Sequence, residues 1–160
     1  ATHWAFAGDG RRQTWLVQEM GRRGLRGTVH LPGRHPVQSM PRFFALADVM
    51  LVTLKDDPIF ALPVPSKVQS YLACGRPLLA ALDGEGARVI SEAGAGIAVK
   101  SSDAAALADA VLKFYRMPAP ERQAMGLRGR DYFAQHFERS LLISRLETWG
   151  RELAGRRCES

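Results

Sequence analysis

Apolar residues in this chain follow two spacings. Some stand in short unbroken runs, and others recur every third or fourth position through longer, mixed stretches. The runs at residues 4–7, 28–31, 49–54, 78–82 and 96–99 predict five strands. The run at 49–54 is apolar at nearly every position, which suits a central strand of a parallel sheet better than a half-exposed one. Between the runs, helical spacing predicts a helix over 11–23 with Trp15, Leu16 and Met20 toward the core and Gly24 as its stop. Another follows Pro36, where Met40, Phe43, Phe44 and Ala47 recur and Pro41 marks the first turn or a kink. Residues 55–64 read as loop. Further helices are expected after Pro65, over 87–93, and over 104–115 with Ser102 as its cap and Leu107, Val111 and Phe114 as its stripe. Pro118 and Pro120 break the chain before helices over 121–135 and 139–153, the second burying Leu142, Leu146 and Trp149. Strands alternating with helices predict a doubly wound α/β domain over 1–153 with a parallel sheet, then a disordered tail over 154–160.

Ligands of such a sheet bind at the carboxyl ends of its strands. Gly8-Asp9-Gly10, Gly33-Arg34-His35, residues 55–67 and Asp83-Gly84-Glu85-Gly86 all fall there. The densest of these signals is residues 65–82, P-S-K-V-Q-S-Y-L-A-C-G-R-P-L-L-A-A-L. Pro65 ends whatever precedes it, and Ser66 with Gln69 has the spacing of a capping box. Val68, Leu72 and Gly75 share the face that presses on the sheet, while Lys67, Ser70, Tyr71 and Cys74 lie on another. A cation and hydroxyls thus gather where a helix already carries partial positive charge, which is a place for a phosphate. Gly84, Glu85 and Gly86 offer a second turn whose amides suit a sugar or a distal phosphate, or else form an ordinary strand-to-helix turn.

Composition narrows the class. The 160 residues are 46% hydrophobic and carry a formal charge of +6. Arg11, Arg12, Arg22, Arg23 and Arg26 form the dense basic group, without interleaved aromatics or a docking motif, so nucleic acid is not the expected partner. A nucleoside diphosphate, or an anionic membrane surface where a lipid-linked acceptor resides, accounts for the sign equally well. No apolar run reaches a membrane-spanning length, and no signal peptide is read at the start. Cys74 in a helix and Cys158 in the tail read as free thiols, which fits a reducing, cytoplasmic compartment. His3, His30, His35 and His136 have no second ligand at zinc spacing, and no G-x-S-x-G elbow or Cys/His pairing marks a nucleophile.

Residues 65–82 followed by D-G-E-G-A resemble the donor-binding segment of glycosyltransferase family four, retaining enzymes of the GT-B fold. Within that family the chain is similar to bacterial surface-polysaccharide members, among them the fucosaminyltransferase-like group. The resemblance runs from Gly8 to the closing helix near Trp149. It implies the Rossmann-like C-terminal half of a two-domain enzyme, holding a UDP-linked amino sugar and passing the sugar to a lipid- or polysaccharide-linked acceptor through a separate N-terminal domain. The nucleotide-sugar is a substrate, and neither a cofactor nor a metal is expected. Ser66 and Lys67 would contribute to diphosphate binding, Gly84, Glu85 and Gly86 to the sugar or distal phosphate, Gly8 and Gly10 to the first turn, and Arg34 and His35 to the base.

The family carries two glutamates separated by seven residues. Here those positions are Leu62 and Ser70, and Ser70 can offer ribose only a single hydroxyl. In the family a further strand and helix precede the G-D-G strand, and their loop carries an Arg and a Lys for the diphosphate. The chain is expected to lack them, to be inactive alone, and to compensate either by pairing its first strand with its third or by self-association. Two rivals stand beside this reading: a sugar-nucleotide epimerase of the same fold, and a non-catalytic α/β binding module.

Overall fold

A computed structural model describes residues 2–157. The described residues divide into two compact units, with the boundary between Phe43 and Phe44. In the first unit, β1 (Trp4–Ala7) pairs in parallel with β2 (Val29–Gly33), Trp4 opposite Val29 and Ala7 opposite Gly33. The crossover is α1 (Gln13–Arg22), and past its end Gly24 takes a φ of 66° that a side chain would resist. A 3-10 turn, Val37–Ser39, leads into α2 (Met40–Leu46). Trp15 does not reach a core as expected: it is 52% exposed, with the Arg12 guanidinium 5.1 Å above its ring. Leu16 and Met20 are only half-buried, because a two-stranded sheet has too little face to cover an indole and its neighbours.

The second unit holds β3 (Met50–Thr53), β4 (Leu78–Ala81) and β5 (Gly96–Val99), all parallel, in the order β3-β4-β5. Central β4 is buried at every position, as its unbroken apolar run requires. Its side chains alternate between two cores. Leu78, Ala80 and Leu82 join Val68, Leu72, Val89 and Ile90 on one face, beneath α4 (Ser66–Ala73) and α5 (Glu85–Glu92). On the other face Leu79 meets Ala110 and Phe114 of α6 (Ala104–Arg116). α7 (Ala119–His136) then lies close against α4, because Gly126 and Gly129 have no side chains. A Cβ on Gly126 would stand 2.3 Å from the Gly75 carbonyl oxygen.

Several expectations change. The stretch 55–64 is not all loop: α3 (Pro58–Ala61) sits in it, capped by Asp57, whose carboxylate accepts from the Ile59 amide at 3.0 Å. α6 is capped by Asp103, accepting from the Ala106 amide at 2.9 Å, rather than by Ser102, which lies at φ 61°. α8 (Arg139–Arg157) leaves Leu142, Leu146 and Trp149 exposed, since both faces of its unit's sheet are already covered by other helices. The same helix runs through residues 154–157, where a tail was expected, because Ala154, Arg156 and Arg157 favour helix and offset Gly155. Cys158 and the rest of that tail lie outside the described residues.

Pairing of the first strand with the third is not found. Among the described residues β1 bonds only β2, and β3 bonds only β4. Each unit therefore has a parallel sheet of its own, β1-β2 in the first and β3-β4-β5 in the second. Each strand keeps the neighbour beside which its own crossover helix delivers it.

Candidate functional site

Thr53, Ala81 and Val99 stand in register at the carboxyl ends of β3, β4 and β5, so the segments that follow them gather at one edge. Gly84 turns the chain there with φ 69°, and a Cβ on it would stand 2.0 Å from the Ala61 carbonyl oxygen. A Cβ on Gly86 would meet Pro65 Cδ at 3.0 Å and Leu82 Cδ1 at 2.9 Å. Both glycines are thus demanded by close packing, and that packing presses the start of α5 onto the segment between α3 and α4. Two helix N termini adjoin as a result.

At the first of these, Pro65 is the cap residue and no side chain caps α4. The Val68 and Gln69 amides both bond the Pro65 carbonyl, at 2.9 and 3.3 Å, leaving those of Ser66 and Lys67 without a partner inside the helix. The expected capping box is therefore absent. Pro65 already holds the extended backbone of a cap, Ser66 becomes the first helical residue, and Gln69 Nε2 donates to the Val64 carbonyl at 3.3 Å instead. Ser66 and Lys67 are exposed and line a cleft of about 260 Å³ together with Thr53, Leu54, Phe60 and Pro63. Ser70, one turn on, donates its hydroxyl to the Ser66 carbonyl at 2.9 Å, so toward a ligand it can only accept. Leu62 is exposed and offers no polar group.

At the second N terminus, no side chain caps α5 and the first amide bonded within the helix is that of Arg88, to Gly84 at 3.0 Å. The amides of Glu85, Gly86 and Ala87 precede it. The Glu85 side chain is diverted. It accepts from Arg88 Nε at 3.0 Å and Nη2 at 2.9 Å, and these bonds hold its carboxyl below the usual 4.5. Sequence patterns missed one pair at this edge. Buried Ser101, just past β5, donates both its amide, at 3.3 Å, and its hydroxyl to Asp83 Oδ2. Only their positions after two adjacent apolar runs hinted at it.

Neither Cys74 nor Tyr71 is activated. Burial pushes the Cys74 thiol up, with Arg76 opposing, and burial likewise raises Tyr71, whose ring lies edge-on to Phe44 at 5.2 Å. Among the described residues no three His, Cys, Asp or Glu side chains are grouped to hold a metal ion, and no helix is long and apolar enough to cross a membrane.

In the first unit, Gly8, Gly10, Arg34 and His35 come together at the carboxyl edge of β1 and β2. The Gly8 amide bonds the Gly33 carbonyl at 2.8 Å, and side chains at Gly8 or Gly10 would meet nothing within 4 Å, so the turn is open rather than packed. Arg34 Nη1 stands 3.8 Å from Asp9 Oδ2, with both side chains exposed. His35 lies 3.2 Å from the Pro32 carbonyl, and its ring centre is 4.6 Å from that of Phe43.

Comparison with known proteins gives the family and the fold. Residues 1–117 match the family model of glycosyl transferases group 1, and the chain belongs to that family. It is 35% identical over 109 residues to the probable glycosyltransferase WbjE of Pseudomonas aeruginosa, a match covering 65% of this chain and 26% of that protein. Among solved structures it resembles Anabaena HepE in complex with UDP, with a TM-score of 0.78 and 17% identity over 96% of this chain and 41% of the other. Sucrose-phosphate synthase from Thermosynechococcus elongatus gives a TM-score of 0.77 and 18% identity, covering 95% and 38%. The fold is thus that of GT-B glycosyltransferases, and the chain spans about a quarter of WbjE and two-fifths of these structures.

Proposed function

We propose that this chain is the donor-binding part of a retaining glycosyltransferase that holds a UDP-linked amino sugar and serves a lipid- or polysaccharide-linked acceptor. The observation that carries the reading is the meeting of two uncapped helix N termini, of α4 and α5, beside Lys67 at the carboxyl edge of a parallel sheet. Amides at two adjoining helix N termini, with an ammonium on the first of them, suit a diphosphate. When the sugar leaves, charge grows on that diphosphate, and fixed amides and Lys67 offset it without a metal ion being needed. Structures of HepE with UDP and with UDP-glucose support a nucleotide-sugar as the ligand. The acceptor is met by the part of the enzyme that lies beyond this chain's share of its relatives' length, so donor binding is expected here without transfer. Association with an anionic membrane surface fits the charge of +6.

Calorimetric titration with UDP tests this. Binding at millimolar strength or tighter is expected, unchanged by EDTA, and weakened about tenfold in Lys67→Ala through loss of one charge-assisted contact. Because Lys67 is exposed, that variant should keep the native melting temperature. No heat with UDP, or full affinity in Lys67→Ala, would remove the cradle from the account.

A further inference from the structure

We propose that Asp83 and Ser101 form a clasp that fixes the first turn of α5 in the orientation that meets the donor's phosphates, which makes both of them positioning residues. This rests on the donor-site reading above. The β4–β5 ladder makes its last backbone bond from the Leu82 amide to the Val99 carbonyl, at 3.1 Å. Two residues on, the Gly84 turn swings the main chain away, so backbone cannot continue the pairing. The Asp83 carboxylate takes over. One oxygen, Oδ2, accepts both the amide of Ser101, at 3.3 Å, and its hydroxyl.

Two observations argue that this is more than a local tie. Ser101 is only 4% exposed, a buried polar residue in an otherwise apolar core, where a satisfied hydroxyl has to be justified by what it holds. The next residue, Ser102, takes a φ of 61°, a conformation that costs energy in a non-glycine residue. The turn is closed by the Asp103 amide on the Lys100 carbonyl, at 3.3 Å, and Ser101 occupies its first inner position, bonded to Asp83. With Gly84 pressed on Ala61 from the other side, the turn into α5 is gripped at both ends. The amides of Glu85, Gly86 and Ala87 then have one orientation before any ligand arrives, and a prearranged donor set binds without an ordering cost.

The test is an amide-resolved NMR titration of the 160-residue chain with UDP, repeated with inorganic pyrophosphate. In the native chain both ligands should shift two sets of amides, those of Ser66 and Lys67 and those of Glu85 to Ala87. In Ser101→Ala the second set should respond weakly while the first still responds, and UDP affinity should fall about tenfold. Asp83→Asn keeps an acceptor oxygen for Ser101 and should stay within about threefold of native, whereas Asp83→Ala, at a half-buried position, should show the same selective loss in the second set and carries the test where Ser101→Ala does not fold. A merely structural role would weaken both sets in parallel, and that result, or undiminished shifts in Ser101→Ala and Asp83→Ala, overturns the clasp. A native chain in which neither set responds to UDP overturns the donor reading itself and the clasp with it.

Discussion

Glu19 shows how one side chain can tie a surface helix to pH. It accepts from Arg22 Nε and Nη2 at 2.9 and 2.7 Å and from Arg23 Nε at 2.7 Å, and these bonds, Arg22 first, hold its carboxyl down from 4.5 to about 2. A carboxyl lowered in the folded state adds stability above its unfolded value and gives it up as pH falls through the folded one. α1 should therefore gain from Glu19 at neutral pH and lose that gain between about 4.5 and 2. The arginines are exposed, so the effect is small and shrinks with salt. Glu19→Gln should flatten that acid limb, and carbon NMR of the Glu19 carboxyl should titrate near 2; a midpoint near 4.5 contradicts the pairing. At this scale the sequence was readable where a residue's place depends on the chain beside it. Ser66 and Lys67 reach the expected edge because Pro65 and Gly75 bracket their helix. It was unreadable where the partner is chosen in space or by competition. Gln69 turns from Ser66 to Val64, Glu85 turns to Arg88, and Asp83 finds Ser101 eighteen residues away.

Helices in this fold are set by where they lack side chains as much as by their apolar stripes. Gly126→Ala gains about 1 kcal/mol of helix propensity. Its new Cβ, however, would lie 2.3 Å from the Gly75 carbonyl oxygen and 3.1 Å from Arg76 Cα, backbone atoms that cannot rotate away. Overpacking of this kind costs about 1–3 kcal/mol, and more where backbone must move, so the net result should be a loss of about 2 kcal/mol. Gly150→Ala in α8 meets nothing within 4 Å and should instead gain about 0.5–1 kcal/mol. Urea unfolding of the two variants should shift in opposite directions; a stabilised Gly126→Ala would mean α7 is not seated on the Gly75 turn. Strands β1 and β5 fall where their apolar runs put them, because each run is short and cut off by turn residues, which leaves room for a strand and not for a helix. α3 escaped notice because a helix of four residues is too short to show a period and opens on a proline. α8 misled in the other direction. Its stripe at 142, 146, 149 and 153 is sound helical patterning, but patterning says only that a face is apolar, not that anything in the same chain covers it.

For the molecule as a whole, apolar burial is unevenly distributed, and stability should follow it. Every buried apolar side chain among the described residues falls between Met50 and Phe114, while β1, α1 and β2 contain none. A two-stranded sheet under one helix has little buried surface to resist opening, whereas β4 is enclosed on both faces and bonded on both edges. Amide hydrogen exchange should therefore resolve two levels of protection. The amides of Leu78 to Leu82 should exchange only through unfolding of their whole unit, and those of Trp4 and Gly8, bonded to the Thr28 and Gly33 carbonyls, at free energies several kcal/mol lower. A shortened chain over 44–160 should keep the protection of β4 and β5. Equal protection of the two sheets, or loss of β4 protection in the shortened chain, would mean that the first unit contributes to the stability of the second. If the two levels are found, UDP should raise protection at β4 by mass action on its own unit, since anything that binds the folded form stabilises it in proportion to the logarithm of ligand concentration. Ligand-dependent protection confined to residues 66–87 and the strands beneath them would then locate binding at the β3-β4-β5 edge independently of any substitution.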